Sequence, residues 1–231
     1  VGKSFKFAKN SIINDTVSVI NILEASKNIK LKKKLFFAGS GQCFGDTKNK
    51  KANESTSFNP VSPYSIGKTS QYYAVKNYRE TFSLFACTGI LFNHESPLRP
   101  EKFVTKKIIT AVHRIANGSK EKLFLGKLDI SRDWGWAPDY VKAMWMMLQQ
   151  KKPEDYIIAT GKNYQLKDFV KEAFAYKKLN WRDYVKIDKK YNNIIDIKSN
   201  IANPHKINKF LKWKTEIYMK DVIKYMFNSI K

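Results

Sequence analysis

The chain has 231 residues, with 43 Lys+Arg against 20 Asp+Glu and a formal net charge of +23. Its 43% hydrophobic and 14% aromatic content is too high for a disordered polycation. Two cysteines, Cys43 and Cys87, exclude a disulfide scaffold and a Cys-rich zinc module. No run of about 18 apolar residues is present to span a membrane, and no signal peptide opens the chain, so a cytoplasmic setting is expected. The charge does not identify a nucleic-acid binder. Only Arg79, Arg99, Arg114, Arg132 and Arg182 carry the guanidinium fork that reads bases and phosphates. The lysines are spread along the whole chain, and the clusters at 30–34 and 48–51 fall where loops are expected. No nucleic-acid partner is therefore expected.

Apolar positions from Ser11 to Ile29 (Ile12, Ile13, Val17, Ile20, Leu23, Ala25) fall at helical spacing. A basic turn follows, and then Leu35 to Ala38 reads as a buried strand running into Gly39-Ser40-Gly41. Residues 46–63 form a long polar loop. A helix is predicted over 64–81, a strand over 84–92, and a helix over 103–117 with Gly118 as its stop. A strand over 122–125, a helix over 139–150 and a strand over 156–160 continue the alternation. Helices over 166–176 and 219–230 complete it. Alternating strands and helices predict an α/β fold with a largely parallel sheet. The G-x-G-x-x-G turn of a dinucleotide-binding sheet is missing; Gly39-Ser40-Gly41 lacks its third glycine.

Tyr64 and Lys68 stand at i and i+4, which on a helix puts both side chains on one face, about 6 Å apart at Cβ. A nearby ammonium favours a phenolate, so Lys68 is expected to lower the Tyr64 pKa and make it a base for a substrate hydroxyl. A surface helix pair is the plain alternative for Y-x-x-x-K. His94-Glu95 lacks the remainder of H-E-x-x-H, so no metal site is expected. Cys43 and Cys87 read as small buried hydrophobes, and Arg132-Asp133 can be a local ion pair.

A strand-end Ser40 with Tyr64-x-x-x-Lys68 about two dozen residues later resembles the active-site layout of the extended short-chain dehydrogenase/reductases. Longer stretches carry a sharper likeness. Residues 77–80, 89–97 (GILFNHESP), 103–108, 125–135 (LGKLDISRDWG), 140–150 and 156–161 resemble the GDP-mannose 4,6-dehydratases, in order along nearly the whole chain. The resemblance implies a Rossmann-like doubly wound sheet with a smaller C-terminal substrate lobe. On that division, 1–93 with 133–150 belong to the NADP-binding domain, and 94–132 with 151–231 to the sugar-nucleotide lobe. It implies NADP as cofactor, GDP-mannose or a related GDP-sugar as substrate, and a homo-oligomer, dimer or tetramer. The implied activity is conversion of GDP-mannose to GDP-4-keto-6-deoxymannose by C4 oxidation, loss of water across C5 and C6, and return of hydride. By position, Tyr64 matches the residue that takes the C4 hydroxyl proton, Lys68 its partner at the cofactor ribose, and Ser40 the hydroxyl on the sugar. His94 and Arg99 match the cofactor side. Asn93, Lys107 and Arg132 match positions that hold the GDP part.

Two departures stand out. Gln42 occupies the position of the catalytic Glu, and a carboxamide cannot accept a proton at neutral pH. Asn193 replaces an Arg that would grip the nucleotide, while the neighbouring acidic position survives as Asp196. Dehydration is therefore expected to be impaired while sugar-nucleotide binding and C4 oxidation persist. An altered paralogue, working as a GDP-sugar 4-oxidoreductase or a non-catalytic partner subunit, is the alternative. The chain opens on Val1, and the glycine-rich turn is expected upstream of it. On that expectation the first strands are missing, and the 231 residues alone are inactive and poorly soluble.

Overall fold

The structure is a computed structural model that describes residues 2–30, 32–191, 195 and 197–230, with Lys3 described by its backbone alone. Its centre is a parallel sheet of three strands in the order β1-β3-β8: β1 (Leu35–Ser40), β3 (Ala86–Leu91) and β8 (Tyr156–Ile158). Leu35 to Ser40 pair in order with Ala86 to Leu91, and Gly89 to Leu91 with Tyr156 to Ile158. Near-continuous apolar strands of this kind are buried on both faces. Adjacent residues of β1 confirm it, because Phe37 packs with Val19, Leu23, Val75 and Leu84 on one side. Phe36 packs with Cys87, Tyr140, Met147 and Trp213 on the other. Both cysteines are buried and unpaired.

The first face is covered by two helices, α2 (Ala8–Asn28) and α3 (Pro63–Phe82), with the short α1 (Gly2–Lys6) before them. They approach closely because α3 carries Gly67, where a Cβ would lie 2.8 Å from Asp15 Cβ. The contact is narrow. Of the apolar positions read from the sequence of α2, Leu23 is buried, whereas Ile13 and Val17 are exposed. The opposite face carries α5 (Ala137–Leu148) and the short α7 (His205–Phe210).

A second core lies beside this sandwich. It is built from α4 (Val104–Ala116), α6 (Leu166–Tyr176) and α8 (Met219–Asn228), with β5 (Leu123–Leu125) paired in parallel to β10 (Val185–Ile187). Gly118, at φ +97 with open space around it, ends α4 as expected.

Of the strands in four short pairings, only β5 was visible as a hydrophobic run, the strand expected over 122–125. The pairings involve β2 (Lys51–Ala52) with β11 (Ile201–Ala202), β4 (Asn93–Glu95) with β7 (Trp134–Trp136), and β6 (Ser131–Arg132) with β9 (Tyr164–Gln165); the fourth is β10 with β5. They stitch the polar segments across the sandwich. The sequence division put 151–231 wholly in the second lobe. The structure corrects this, since β8 is a strand of the central sheet and Ile207, Leu211 and Trp213 belong to the core behind it. On the outer edge of β8, Glu54 Oε1 accepts a hydrogen bond from Ile157 N at 2.8 Å. Among the described residues no helix is long and apolar enough to cross a membrane.

Candidate active site

Open parallel sheets bind ligands beyond the carboxyl ends of their strands, and Ser40, Gln42 and Tyr64 meet there. Ser40 ends β1 and leads into a 3-10 turn, Gly41–Phe44, that carries Gln42. Ser40 Oγ accepts from Gln42 N at 3.2 Å and caps the turn. Gly45 closes it at φ +63, with its N–H on Gln42 O at 3.1 Å; a Cβ there would lie 2.3 Å from Asn59 O. Only glycine fits that conformation and that contact.

Tyr64 enters the same space from the first turn of α3. Ser62 caps this helix reciprocally with Ser65, whose N–H donates to Ser62 Oγ at 3.1 Å, and Pro63 presets the first helical φ. Burial pushes the Tyr64 phenol up, a hydrogen bond with Ser40 pulls it down, Asp15 and Cys43 push it up, and Arg99 pulls it down. Ser40, Tyr64 and Arg99 are therefore neighbours in one electrostatic environment.

Lys68 is not among the groups that shift the Tyr64 phenol. Its Nζ donates to Ala38 O at 3.1 Å and Gln71 Oε1 at 2.9 Å, and Asp15 Oδ1 stands 3.7 Å away. The Ala38 carbonyl is shared with Gln71 Nε2 at 3.0 Å. The ammonium is thus committed to the β1 backbone and its own helix, and burial rather than Lys68 governs the Tyr64 phenol.

The loop after β3 supplies a second group. His94 Nδ1 sits 2.8 Å from Phe92 O, and its ring lies 5.0 Å from that of Tyr140. Burial holds the imidazole below its ordinary value. Glu95 is 1% exposed and meets Arg99 Nε at 2.8 Å, while Thr105 Oγ1 donates to it at 2.7 Å. Burial pushes this carboxyl up to about 7 against the pull of Arg99 and Thr105. Arg99 Nη1 also donates to His94 O at 3.2 Å, and its guanidinium lies 4.0 Å from the Phe103 ring centre. The ion pair fixes Arg99 in place. Sequence reasoning missed Glu95 as the holder of Arg99, although the i,i+4 spacing was there to see.

Asn93 pairs with Trp134 across β4 and β7, which brings β7 and the preceding Arg132 alongside this loop. Arg132 Nη1 donates to Ser131 O at 2.7 Å. Asp133, 1% exposed, accepts from Thr160 N at 3.0 Å and Gly161 N at 2.8 Å, so it anchors the end of β8. Lys107 lies in a separate cluster of the second lobe, with Nζ on Phe124 O at 2.6 Å and 4.0 Å from the Tyr191 ring centre. Burial and the nearby Lys190 lower its pKa. Asn193 and Asp196 lie outside the described residues. Two open clefts, of about 280 and 380 Å³, contain none of these side chains.

Comparison with known proteins places this geometry. Residues 1–226 match the family described as GDP-mannose 4,6 dehydratase. GDP-mannose 4,6 dehydratase 2 of Arabidopsis thaliana is 46% identical over 196 residues, which is 85% of this chain and 52% of that protein. The GDP-mannose 4,6 dehydratase of Dictyostelium discoideum is 38% identical over 231 residues, 92% of this chain and 65% of that protein. The chain thus spans between half and two thirds of the length of these curated relatives. Among solved structures, RMD from Pseudomonas aeruginosa, complexed with NADPH, superposes at a TM-score of 0.90 with 17% identity, covering 99% of this chain and 77% of that one. The dTDP-glucose 4,6-dehydratase of Bacillus anthracis, in complex with NAD, gives 0.86 with 18% identity, covering 99% and 70%. At those identities the structures speak for the fold, which is the Rossmann-like doubly wound sheet expected from sequence.

Proposed function

The chain belongs to the GDP-mannose 4,6 dehydratase family, and from that premise we propose that the protein turns GDP-mannose into its 4-keto-6-deoxy product, with removal of the C5 proton as the slow step. The observation that supports the reading is the junction of Ser40 and Tyr64 at the carboxyl edge of the sheet, with Gln42 two residues on from Ser40 in the turn it caps.

A nicotinamide cofactor supplies a reversible two-electron acceptor for C4; we assign NADP, following the sequence resemblance and the NADPH bound to the Pseudomonas relative in fold. The donor set suits its ribose, since Tyr64 offers a hydroxyl and Lys68 an ammonium from one helix face. Lys68 would exchange one of its present contacts, Ala38 O or Gln71 Oε1, for a ribose hydroxyl. His94 and Arg99 supply the cofactor-side loop, and Asn93 and Arg132 the substrate side.

The chain's own chemistry follows from the local environment. Ser40 holds the Tyr64 phenol and can hydrogen-bond the sugar. Tyr64 takes the C4 hydroxyl proton as a phenolate, and burial makes that form scarce at neutral pH. The C4 ketone acidifies C5, but Gln42 offers an amide where a base is required.

The test uses the intact protein with GDP-mannose in deuterated water, following keto product and C5 exchange. The expected result is slow exchange that rises ~10²–10⁴-fold in Gln42→Glu, the usual worth of a general base. If neither form turns over GDP-mannose, the reading is wrong. Gln42 also favours a second reading, a GDP-sugar 4-oxidoreductase. That reading holds if C4 is oxidised or reduced with no 6-deoxy product.

A further inference from the structure

We propose that Asn200 is a positioning residue for the turn that carries Gln42. The proposal rests on the dehydratase reading for its catalytic consequence, but not for its structural one.

The side chain of Asn200 is 2% exposed, and its amide nitrogen donates to Gly41 O at 3.0 Å and Gly45 O at 2.9 Å. Those carbonyls stand at the two ends of the 3-10 turn Gly41–Phe44. One amide therefore spans the turn and fixes the distance between its ends. An aliphatic side chain would leave two buried carbonyls without that donor. The buried Phe44, packed with Phe58 and Phe92, and the Gly45 N–H on Gln42 O also hold the turn, but neither joins its two ends. Ser40 Oγ caps its start, and Asn59 N donates to Cys43 O at 2.8 Å on the far side.

Asn200 is also placed to link the turn to the substrate side. The backbone around it is bound in both directions. Thr47 N donates to Ser199 O at 2.9 Å, Lys198 N reaches Asp46 Oδ2 at 3.3 Å, and Asn203 N donates to Ala52 O at 2.8 Å. In the other direction Ser131 N donates to Lys198 O at 2.8 Å, and Ser131 bridges Ser199, immediately before Arg132. Segment 197–203 is therefore a strap between the Gln42 turn and the strand that carries Arg132. Asn200 is its contact with the turn.

The turn starts from Ser40, whose Oγ caps it and which holds the Tyr64 phenol, and a displacement of about 1 Å there can cost ~10²-fold in rate. Asn200→Asp keeps the shape but sets a carboxylate against two carbonyls. In the intact protein we expect kcat for GDP-mannose to fall ~10²-fold while KM stays within about twofold. Lowering the pH protonates the new carboxyl, restores one donor, and should recover part of kcat in this variant alone. Hydrogen exchange is expected to show faster amides at 41–47, with the sandwich core unchanged. Asn200→Ser, too short to reach both carbonyls, should give the same exchange pattern and serves if the Asp variant does not fold. Thr215→Val, which removes a buried hydrogen bond to Asp139 far from the turn, should lose stability with kcat kept.

Unchanged exchange at 41–47 overturns the proposal whatever the activity. So does a kcat loss matched by Thr215→Val at equal loss of stability. An intact protein inactive on GDP-mannose, but with turn-specific exchange in Asn200→Asp, fails the dehydratase reading and leaves the structural role of Asn200 supported.

Discussion

Arg79 and Asp155 meet in a two-point ion pair, Nη1 to Oδ1 at 2.7 Å and Nη2 to Oδ2 at 2.8 Å, that ties the last turn of α3 to the entry of β8. Asp155 Oδ1 also accepts from Thr88 N at 2.7 Å, and Arg79 Nη1 donates to Ala86 O at 3.1 Å. The pair therefore grips one edge of β3 at Ala86 and Thr88. Removing one member of a mostly buried pair strands the other charge, which costs about 3–5 kcal/mol. We predict that loss for Asp155→Ala in urea unfolding. Arg79→Lys should lose less yet still register, because an ammonium cannot make both contacts. A cost below 1 kcal/mol in Asp155→Ala would show that the clamp carries little of the stability.

Glu95 and Asp133 give the fold a pH dependence. Burial pushes both carboxyls up to about 7 from ordinary values of 4.5 and 3.8. The folded chain thus holds these protons more tightly than the unfolded chain. Their contribution to stability is complete below about pH 4 and is lost as the pH rises to about 7. Glu95→Gln and Asp133→Asn should each flatten the plot of unfolding free energy against pH over that window. A wild-type slope retained in both variants would place the effect in other groups.

Tyr64→Phe should lower C4 oxidation ~10²–10⁴-fold with little change in sugar-nucleotide affinity. Because burial raises the phenol, wild-type oxidation should keep climbing with pH toward and past the ordinary phenol value of about 10. A plateau near neutrality would mean that Tyr64 titrates low in the loaded site.

Gly45→Ala tests the turn from its other end. The backbone at φ 63 and ψ -144 alone costs about 1–3 kcal/mol for a non-glycine residue, and the Cβ would sit 2.3 Å from Asn59 O. A larger loss than that backbone cost is expected in thermal unfolding. A wild-type Tm would show that the 59 loop simply moves aside.

The helices and principal strands were legible because their apolar spacing is strong. Leu166–Tyr176 was read from sequence with the boundaries observed, and the helix predicted over 64–81 is observed as Pro63–Phe82. The strand-end Ser40 and the helix start at Tyr64 were legible for the same reason. The two-residue strands were not, because pairs such as Lys51–Ala52 with Ile201–Ala202 have no periodicity of their own. Nor was the direction of Lys68. The i,i+4 rule brings its stem near Tyr64, but the acceptor that claims its ammonium is Ala38 O, thirty residues back on another element. Asn200 lies still further away, about 155 positions from the carbonyls it holds, and no local pattern marks a buried amide as a brace.

The carboxylate of Glu54 on the outer edge of β8 has a consequence beyond local bonding. An edge strand with open amides is a template on which another chain can add a strand and begin to aggregate. Ile157 N is already donated to a side chain that can only accept. An incoming strand would have to displace a charged group before forming its first rung. On that flank the loop that brings Glu54 works as a stopper against uncontrolled sheet growth, in a chain that must keep the apolar interior of a parallel sheet apart from its neighbours.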